Sequence, residues 1–167
     1  MNLQNLRKGA TKWKIAVLSG PNVSPNIKAI GRFDELLAEW GEALGVHVEH
    51  FQSNHEGKLL EYIHSSAGAT NGYIVNPGGL TRVGESLRHA LKDSKRPVVE
   101  VHFGNLELDS RSIFAPSVMC IFSGLGRSSY LGALTALVLA LDDLDFLHPE
   151  GSGPTNRSHG TPRSLYQ

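Results

Sequence analysis

Short β-rich runs alternate with helical patterns along most of the chain, and this alternation restricts the folds that it can adopt. Runs rich in β-branched and aromatic residues occur at 14–18, 46–51, 72–75, 97–101 and 117–122. Amphipathic helical patterns lie at 33–44, 57–67 and 83–93, and a longer apolar pattern follows at 128–147. Strands that alternate with helices build βαβ units, right-handed crossovers and a parallel sheet. The sequence therefore predicts an α/β fold, a flavodoxin-like three-layer sandwich with a five-stranded parallel sheet.

The two ends of the chain differ in composition from the middle. Residues 1–13 are interpreted as an N-terminal extension, whereas 14–147 carries the alternating pattern of one domain. Residues 148–167 are rich in Gly, Pro, Ser and Arg and are predicted to be disordered. The carboxylates within 142–145 are interpreted as a solvated helix end.

Composition and charge indicate which partners to expect. A formal net charge of zero argues against a nucleic-acid or membrane-surface partner, and no apolar stretch reaches the roughly 20 residues that cross a membrane. The single cysteine, Cys120, forms no internal disulfide, and its apolar surroundings make it a poor nucleophile. The histidines show no metal-ligand spacing, so no metal site is predicted. We expect a cytoplasmic protein whose partner is a small molecule.

Asparagine, glycine and histidine residues gather directly after the predicted strands. They are Asn22 in SGPN, Asn54 and His55 in QSNHEG, Asn76 in NPGG, His102 in EVHFGN, and the glycines of SGLGRSS. Each motif alone is more typical of a turn than of a ligand contact. In open α/β sheets, however, ligands bind outside the carboxyl ends of the strands. Together these motifs therefore predict a binding pocket at this edge of the sheet.

The stretch EVHFGN carries the clearest chemical signal. Strand side chains alternate between faces, so Glu100 and His102 point to the same side of the sheet. A carboxylate beside an imidazole orients the ring and favours its protonated form, which is how a general acid is made. A structural histidine held by a neighbouring carboxylate is the alternative, and the place of the pair at a strand end favours function.

With these motifs assembled, the chain resembles the type II 3-dehydroquinate dehydratases, from about Lys14 to about Leu144. The shared stretches are GPN, FQSNHEGKLLEYIH, NPGG, EVHFGN, AP at 115–116 and GLGRSSYLGAL, in the order and near the spacing of that family. The resemblance implies catalysis without a cofactor. It also implies a homo-oligomer, a dodecamer built from trimers.

The resemblance assigns roles to several residues of this chain. It implies that His102, supported by Glu100, protonates a departing hydroxyl, and that Asn22 holds a water that stabilises an enolate. The implied substrate contacts are Asn76 and the backbone of Phe103 and Gly104.

Other family features are missing or changed. The family's base is a tyrosine on a mobile lid, but residues 23–31, VSPNIKAIG, contain no tyrosine and are shorter than that lid. Lys28 and Arg32 are poor bases for the α-proton of a ketone at neutral pH. A family histidine is replaced by Arg82 and an acid by His89.

The substrate-binding side of the pocket is therefore predicted to have changed. A family serine becomes Gly104, and the family's binding arginine is matched only loosely by Arg111. Arg82, Glu85 and His89 share one face of a predicted helix and are expected to form a new polar cluster. The alternative is a solvated Arg-Glu pair on the helix surface.

Three functions follow from this pattern. The first is a lyase-, cyclase- or isomerase-type enzyme of specialised metabolism that uses His102 as general acid on an altered, anionic substrate. The second is a genuine 3-dehydroquinate dehydratase with an unusual base. The third is a non-catalytic homologue that serves binding or assembly.

Overall fold

The computed structural model describes residues 2–106 and 111–143, which form a parallel sheet with helices on both faces. The strands are β1 Lys14–Ser19, β2 His47–Gln52, β3 Gly72–Asn76, β4 Val98–Val101 and β5 Cys120–Phe122, in the spatial order β2-β1-β3-β4-β5. The helices are α1 Ser24–Ile30, α2 Phe33–Leu44, α3 Glu56–Ser66, α4 Glu85–Asp93 and α5 Arg127–Asp142. The predicted flavodoxin-like three-layer sandwich is confirmed. None of the helices in these ranges is long and apolar enough to cross a membrane.

The sheet separates two apolar cores. Ile15, Val17 and Ile74 face α2 and α5, and the intervening Ala16 and Leu18 face α3 and α4. A strand that is buried on both faces carries a nearly continuous apolar run, which is why β1 and β3 are recognisable in the sequence.

Most element boundaries agree with the predicted patterns. Helix α2 has the predicted bounds, whereas β5 is shorter because Ala115–Ser117 forms a turn of 3-10 helix. Helix α1 was not predicted as a helix and begins with a proline in its first turn. The predicted end of the last helix at 144–147 and the predicted disordered tail at 148–167 lie outside the described residues.

The predicted solvated helix end is wrong for Asp142. Its side chain is 1% exposed and accepts two hydrogen bonds of 2.8 Å from the Arg7 guanidinium and one of 2.8 Å from the Trp13 indole. Arg7 also donates to the carbonyls of Leu44 and Thr11. The N-terminal segment therefore folds against the domain and binds the C-terminal end of α5.

Two glycines let the loops after β1 and β3 approach closely. A Cβ on Gly20 would collide with the Pro77 carbonyl, and a Cβ on Gly78 would collide with the Pro21 carbonyl. Gly78 also has a φ of +56°, in the left-handed region that favours glycine. The backbone N–H of Gly79 donates to the Pro21 carbonyl at 2.8 Å, which fixes the two loops against each other.

Candidate active site

Glu100 and His102 form a buried pair at the end of β4. His102 Nε2 lies 2.6 Å from Glu100 Oε1, and the two side chains are 11% and 0% exposed. The second carboxylate oxygen, Oε2, is buried and receives no hydrogen bond from the residues that the structure describes. Because Nε2 contacts Glu100, Nδ1 is the ring nitrogen left for chemistry. The His102 backbone N–H donates to the Phe122 carbonyl, which fixes the end of β4 against β5.

Asn76 lies at the end of β3 with its side-chain amide held at both ends. Its Oδ1 accepts from the backbone N–H of Gly78 at 3.1 Å, and its Nδ2 donates to the Tyr130 hydroxyl at 2.8 Å. Since the backbone donor fixes the oxygen, the orientation of the amide is determined. Nδ2 carries a second hydrogen, so Asn76 retains one donor for a ligand.

Asn22 and Asn54 bring the loops after β1 and β2 together. Asn22 is exposed and has a φ of +67°, a left-handed conformation that asparagine tolerates better than most residues. The backbone N–H of Asn22 approaches Asn54 Oδ1 at 3.3 Å. A Cβ placed on Gly79 would lie 3.2 Å from Asn22 Nδ2, so this side chain lies against the NPGG turn.

Phe103 links the end of β4 to Asn76 at the end of β3. Its ring packs on Tyr130, with ring centroids 4.8 Å apart, and Tyr130 in turn holds Asn76. The Phe103 carbonyl accepts from the N–H of Gly126 at 2.9 Å, and the Gly104 carbonyl accepts from Gly124 at 3.1 Å. Gly104 is exposed, with no atom close to the position of a Cβ.

The predicted polar cluster is not a face of one helix. Arg82 is exposed in the turn that precedes α4, because the helix begins at Glu85. The Glu85 carboxylate pairs with Arg88 at 2.8 Å and lies 3.7 Å from His89 Nε2. Arg88, which was not singled out in the sequence, therefore organises this face of α4. Arg111 is exposed on the chain that leads to the 3-10 turn.

The sequence prediction missed three polar residues on the α2 and α5 side of the sheet. They are Ser19 and Tyr130, both 0% exposed, and His50, whose side chain is 8% exposed. For Ser19 and His50 the available signal is alternation, because both occupy strand positions that face an apolar core. The hydroxyl of Tyr130 has a pKa far above its ordinary value because it is buried.

Cys120 lies at the start of β5, at the amino end of the strand. Cys120 is exposed on the outer strand, and partial burial raises the pKa of its thiol. Within 2–106 and 111–143, no group of three His, Cys, Asp or Glu side chains is arranged to hold a metal ion.

Most of residues 23–31, the segment expected to stand in place of a lid, form the short helix α1. Helix α1 contributes Ile27 and Ile30, which pack against the core between the sheet and helices α2 and α5. Arg32 follows this helix and pairs with Glu39 at 3.0 Å, with both side chains largely exposed. Residues 23–31 contain no tyrosine.

The sheet order β2-β1-β3-β4-β5 is that of flavodoxin-like α/β proteins. A sequence profile described as dehydroquinase class II matches residues 13–138, and the chain therefore belongs to this family.

Curated relatives support the assignment. The chain is 36% identical over 138 residues to the 3-dehydroquinate dehydratase of Halothermothrix orenii, a match that covers 75% of this chain and 93% of that one. It is 37% identical over 144 residues to the enzyme of the same name from Thermotoga maritima, covering 78% and 99%. The crystal structure of the type II dehydroquinase from Butyrivibrio crossotus superposes with a TM-score of 0.70 at 26% identity, covering 75% of this chain and 97% of that one.

Proposed function

We propose that this protein is a cofactor-independent lyase that keeps the acid half of the dehydroquinase site and applies it to a different, anionic substrate. The observation that carries the proposal is the buried Glu100–His102 pair at the end of β4, 2.6 Å apart, in a chain whose lid segment has no tyrosine. Family membership supports the general reaction, and the altered residues support the change of substrate.

In the proposed step His102 protonates a departing hydroxyl. A doubly protonated ring directs its Nε2 proton to Glu100 and holds the other on Nδ1, from which it passes to the leaving oxygen. The C–O bond breaks, water leaves, and the electron pair of a neighbouring C–H bond forms the new double bond. The carbon-bound proton passes to a basic group of the substrate or to solvent. Solvent then returns a proton to Nδ1.

This step needs a substrate with a more acidic C–H bond than the ketone of the family reaction. General acid–base catalysis contributes about 10²–10⁴-fold, so a missing base is tolerated only where the proton leaves easily. Elimination is the simplest reaction of this kind, and cyclisation or isomerisation after loss of a leaving group uses the same acid.

Binding is proposed to combine an amide, a backbone cradle and positive charge. Asn76 offers its second N–H, and the loop at Phe103 and Gly104 would receive a carboxylate. Arg82 and Arg111 are the proposed cationic contacts, since a guanidinium binds carboxylates in a planar fork. Glu85 and His89 are proposed to line the outer part of the pocket, where Arg88 holds Glu85.

The experiment is a search for water loss from hydroxy acids that carry an activated C–H bond next to a carbonyl group. Products are detected by mass spectrometry and proton NMR, and any active compound is tested with His102→Gln. Glutamine retains a donor for Glu100 but cannot deliver a proton at neutral pH, so we expect a loss of about 10²-fold or more. Cys120→Ser is the matched control and should leave turnover unchanged. Undiminished turnover by His102→Gln would overturn the assignment of the acid.

A second candidate, 3-dehydroquinate dehydratase itself, is favoured by the identity of about 36% to curated enzymes of that name. Under this alternative another group of the chain replaces the lid tyrosine. Formation of the conjugated product at an ordinary rate would select it.

We also propose that the protein assembles through the open edge at β5. Met119 and Ile121 are 42% and 37% exposed there, beside a cavity of about 190 Å³ lined by Val99, Ala136 and Ala140 among others. A second copy of this chain is the proposed partner, in agreement with the trimer-based dodecamer that the family resemblance implies.

A further inference from the structure

A continuous set of polar contacts runs beneath the carboxyl edge of the sheet, on the side of α2 and α5. Asn76 Nδ2 donates to the Tyr130 hydroxyl at 2.8 Å, and the Ser19 hydroxyl interacts with the same Tyr130 oxygen. Ser19 Oγ lies 2.9 Å from His50 Nε2, and His50 Nδ1 lies 2.6 Å from Asp34 Oδ1. One end is therefore a proposed substrate contact, and the other is the exposed carboxylate of Asp34.

The direction of these hydrogen bonds follows from their two ends. The backbone N–H of Gly78 fixes Asn76 Oδ1, so Nδ2 must face Tyr130. A carboxylate only accepts, so His50 Nδ1 carries the proton that faces Asp34. In the neutral ring Nε2 then accepts from Ser19, and Ser19 accepts from Tyr130. Each hydroxyl thus donates away from Asn76, and every group has a partner.

Protonation of His50 is incompatible with this arrangement. A charged ring donates from Nε2 to Ser19, so Ser19 must turn its own proton toward Tyr130. The Tyr130 oxygen would then receive protons from both Asn76 and Ser19, and its own proton would lose its acceptor. Both Ser19 and Tyr130 are 0% exposed, so bulk water cannot replace the lost partner.

The groups packed around His50 favour the neutral form of its ring. Burial lowers the pKa of His50, and the Asp34 carboxylate opposes that shift. From α2 Phe33 packs on the imidazole at 5.1 Å between centroids, while β1 contributes Ser19 and α5 contributes Tyr130 beyond it. The other charged groups of β2 lie on the opposite face of the sheet, where Glu49 pairs with Lys14 and His47.

The order Asp34, His50, Ser19 is also that of a nucleophilic triad, with the serine hydroxyl at the ring Nε2. Ser19 is fully buried and its oxygen lies against Tyr130, so a substrate cannot reach it. A role in holding Asn76 therefore fits the packing, and nucleophilic attack does not.

We propose that His50 is a positioning residue that acts through Ser19 and Tyr130 on the amide of Asn76, and that protonation of His50 weakens the hydrogen bond from this amide to Tyr130. The proposal rests on the proposed function only for the statement that Asn76 contacts the substrate. Where a substrate is found, its KM should rise as His50 becomes protonated, with a smaller change in kcat.

The test uses the full-length protein without ligand, so it does not depend on knowing the substrate. Side-chain amide resonances of Asn76 and ring resonances of His50 are followed by NMR as the pH is lowered. We expect the Asn76 amide to shift with the same midpoint as His50. Asn71 is the control, because its side chain accepts from the Lys14 backbone N–H at the opposite end of the sheet and should not respond.

Three variants separate coupling from general loosening of the fold. Asp34→Asn removes the charge that favours the protonated ring, so the His50 and Asn76 midpoints should both move to lower pH. Tyr130→Phe should abolish the pH-dependent shift of the Asn76 amide while His50 still titrates. Ser19→Ala should do the same, because it removes the hydroxyl between His50 and Tyr130. The proposal would be overturned if the Asn76 amide resonances did not shift as His50 titrates. It would also be overturned if they still shifted with His50 in both Tyr130→Phe and Ser19→Ala. These NMR results do not depend on turnover. Failure of this proposal can therefore be distinguished from failure of the proposed function.

Discussion

Glu100 is a buried carboxylate whose partners are few. One oxygen contacts His102 at 2.6 Å, and the other receives no hydrogen bond from the described residues. Loss of the histidine would leave the carboxylate buried without its partner, a change that typically costs about 3–5 kcal/mol. The pair therefore contributes to stability as well as to the proposed chemistry.

We predict that His102→Ala lowers the free energy of unfolding by about 3–5 kcal/mol, because Glu100 loses its partner. His102→Gln should cost clearly less, since its amide can still donate to Glu100. Urea denaturation followed by circular dichroism measures both. The double variant Glu100→Leu/His102→Ala removes both polar groups and should recover a large part of the loss. A double variant as unstable as His102→Ala alone would show that the buried carboxylate is not the cause.

The turn after β3 joins two adjacent elements and sets the position of Asn76. Gly78→Ala would place a Cβ against the Pro21 carbonyl at a left-handed φ, so we predict a loss of at least about 2 kcal/mol. Gly57→Ala is the control, because this position in α3 has open space around it and should gain about 0.5–1 kcal/mol. Thermal unfolding measures both, and an equal effect of the two substitutions would contradict the proposed role of the Gly78 turn.

The elements themselves were largely predictable because the hydrophobic pattern determines them. Helix α2 places Leu37, Leu44 and partly buried neighbours on one side, and its predicted bounds agree with the structure. Helix α1 was missed because none of its side chains is fully buried and only Ile27 and Ile30 pack on the core. Seven residues give too short a stripe for periodicity to stand out.

The candidate site was predictable only where its residues are neighbours in sequence. Glu100 and His102 are two positions apart on one strand, so alternation places them together. The contacts among Asp34, His50 and Ser19 join α2, β2 and β1, and no local spacing encodes them. Arg88 could have been predicted, because it follows Glu85 by three positions on α4, a spacing that favours an ion pair.

Across the whole molecule, the N-terminal segment is attached to α5 by a buried ion pair. The Arg7 guanidinium holds the pKa of Asp142 below its usual value. This contribution to stability is fully present above the ordinary Asp pKa of about 3.9, and it is lost as the pH falls through the lower folded-state pKa.

We predict that Arg7→Met lowers the free energy of unfolding at pH 7 by about 3–5 kcal/mol, because the buried Asp142 carboxylate loses its charged partner and keeps only neutral donors such as the Trp13 indole. Below the folded-state pKa of Asp142 the difference from the wild type should narrow, since the carboxyl group is then neutral. Lys8→Ala is the matched control, because the Lys8–Asp143 pair is exposed and should contribute less than about 1 kcal/mol. Equal losses for the two variants would contradict the buried pair.

The exposed apolar residues at the β5 edge lead to a prediction about assembly. Ile121→Lys introduces a charge into the exposed apolar surface, so a complex formed there should dissociate in sedimentation velocity experiments. Ala38→Lys is the control, because Ala38 is exposed on α2 beside β2, at the opposite edge of the sheet. A monomeric wild type, or an oligomer that survives Ile121→Lys, would exclude this edge as the interface.

The proposal that the protein keeps the acid and lacks the family's base is tested most directly with 3-dehydroquinate itself. The conjugated product is followed by its near-ultraviolet absorbance, with the Thermotoga maritima relative assayed alongside under the same conditions. Because the lid tyrosine is missing, we predict a rate at least about 10²-fold below that of the relative. Turnover of 3-dehydroquinate at a comparable rate would contradict the loss of the base and identify the chain as an ordinary dehydratase.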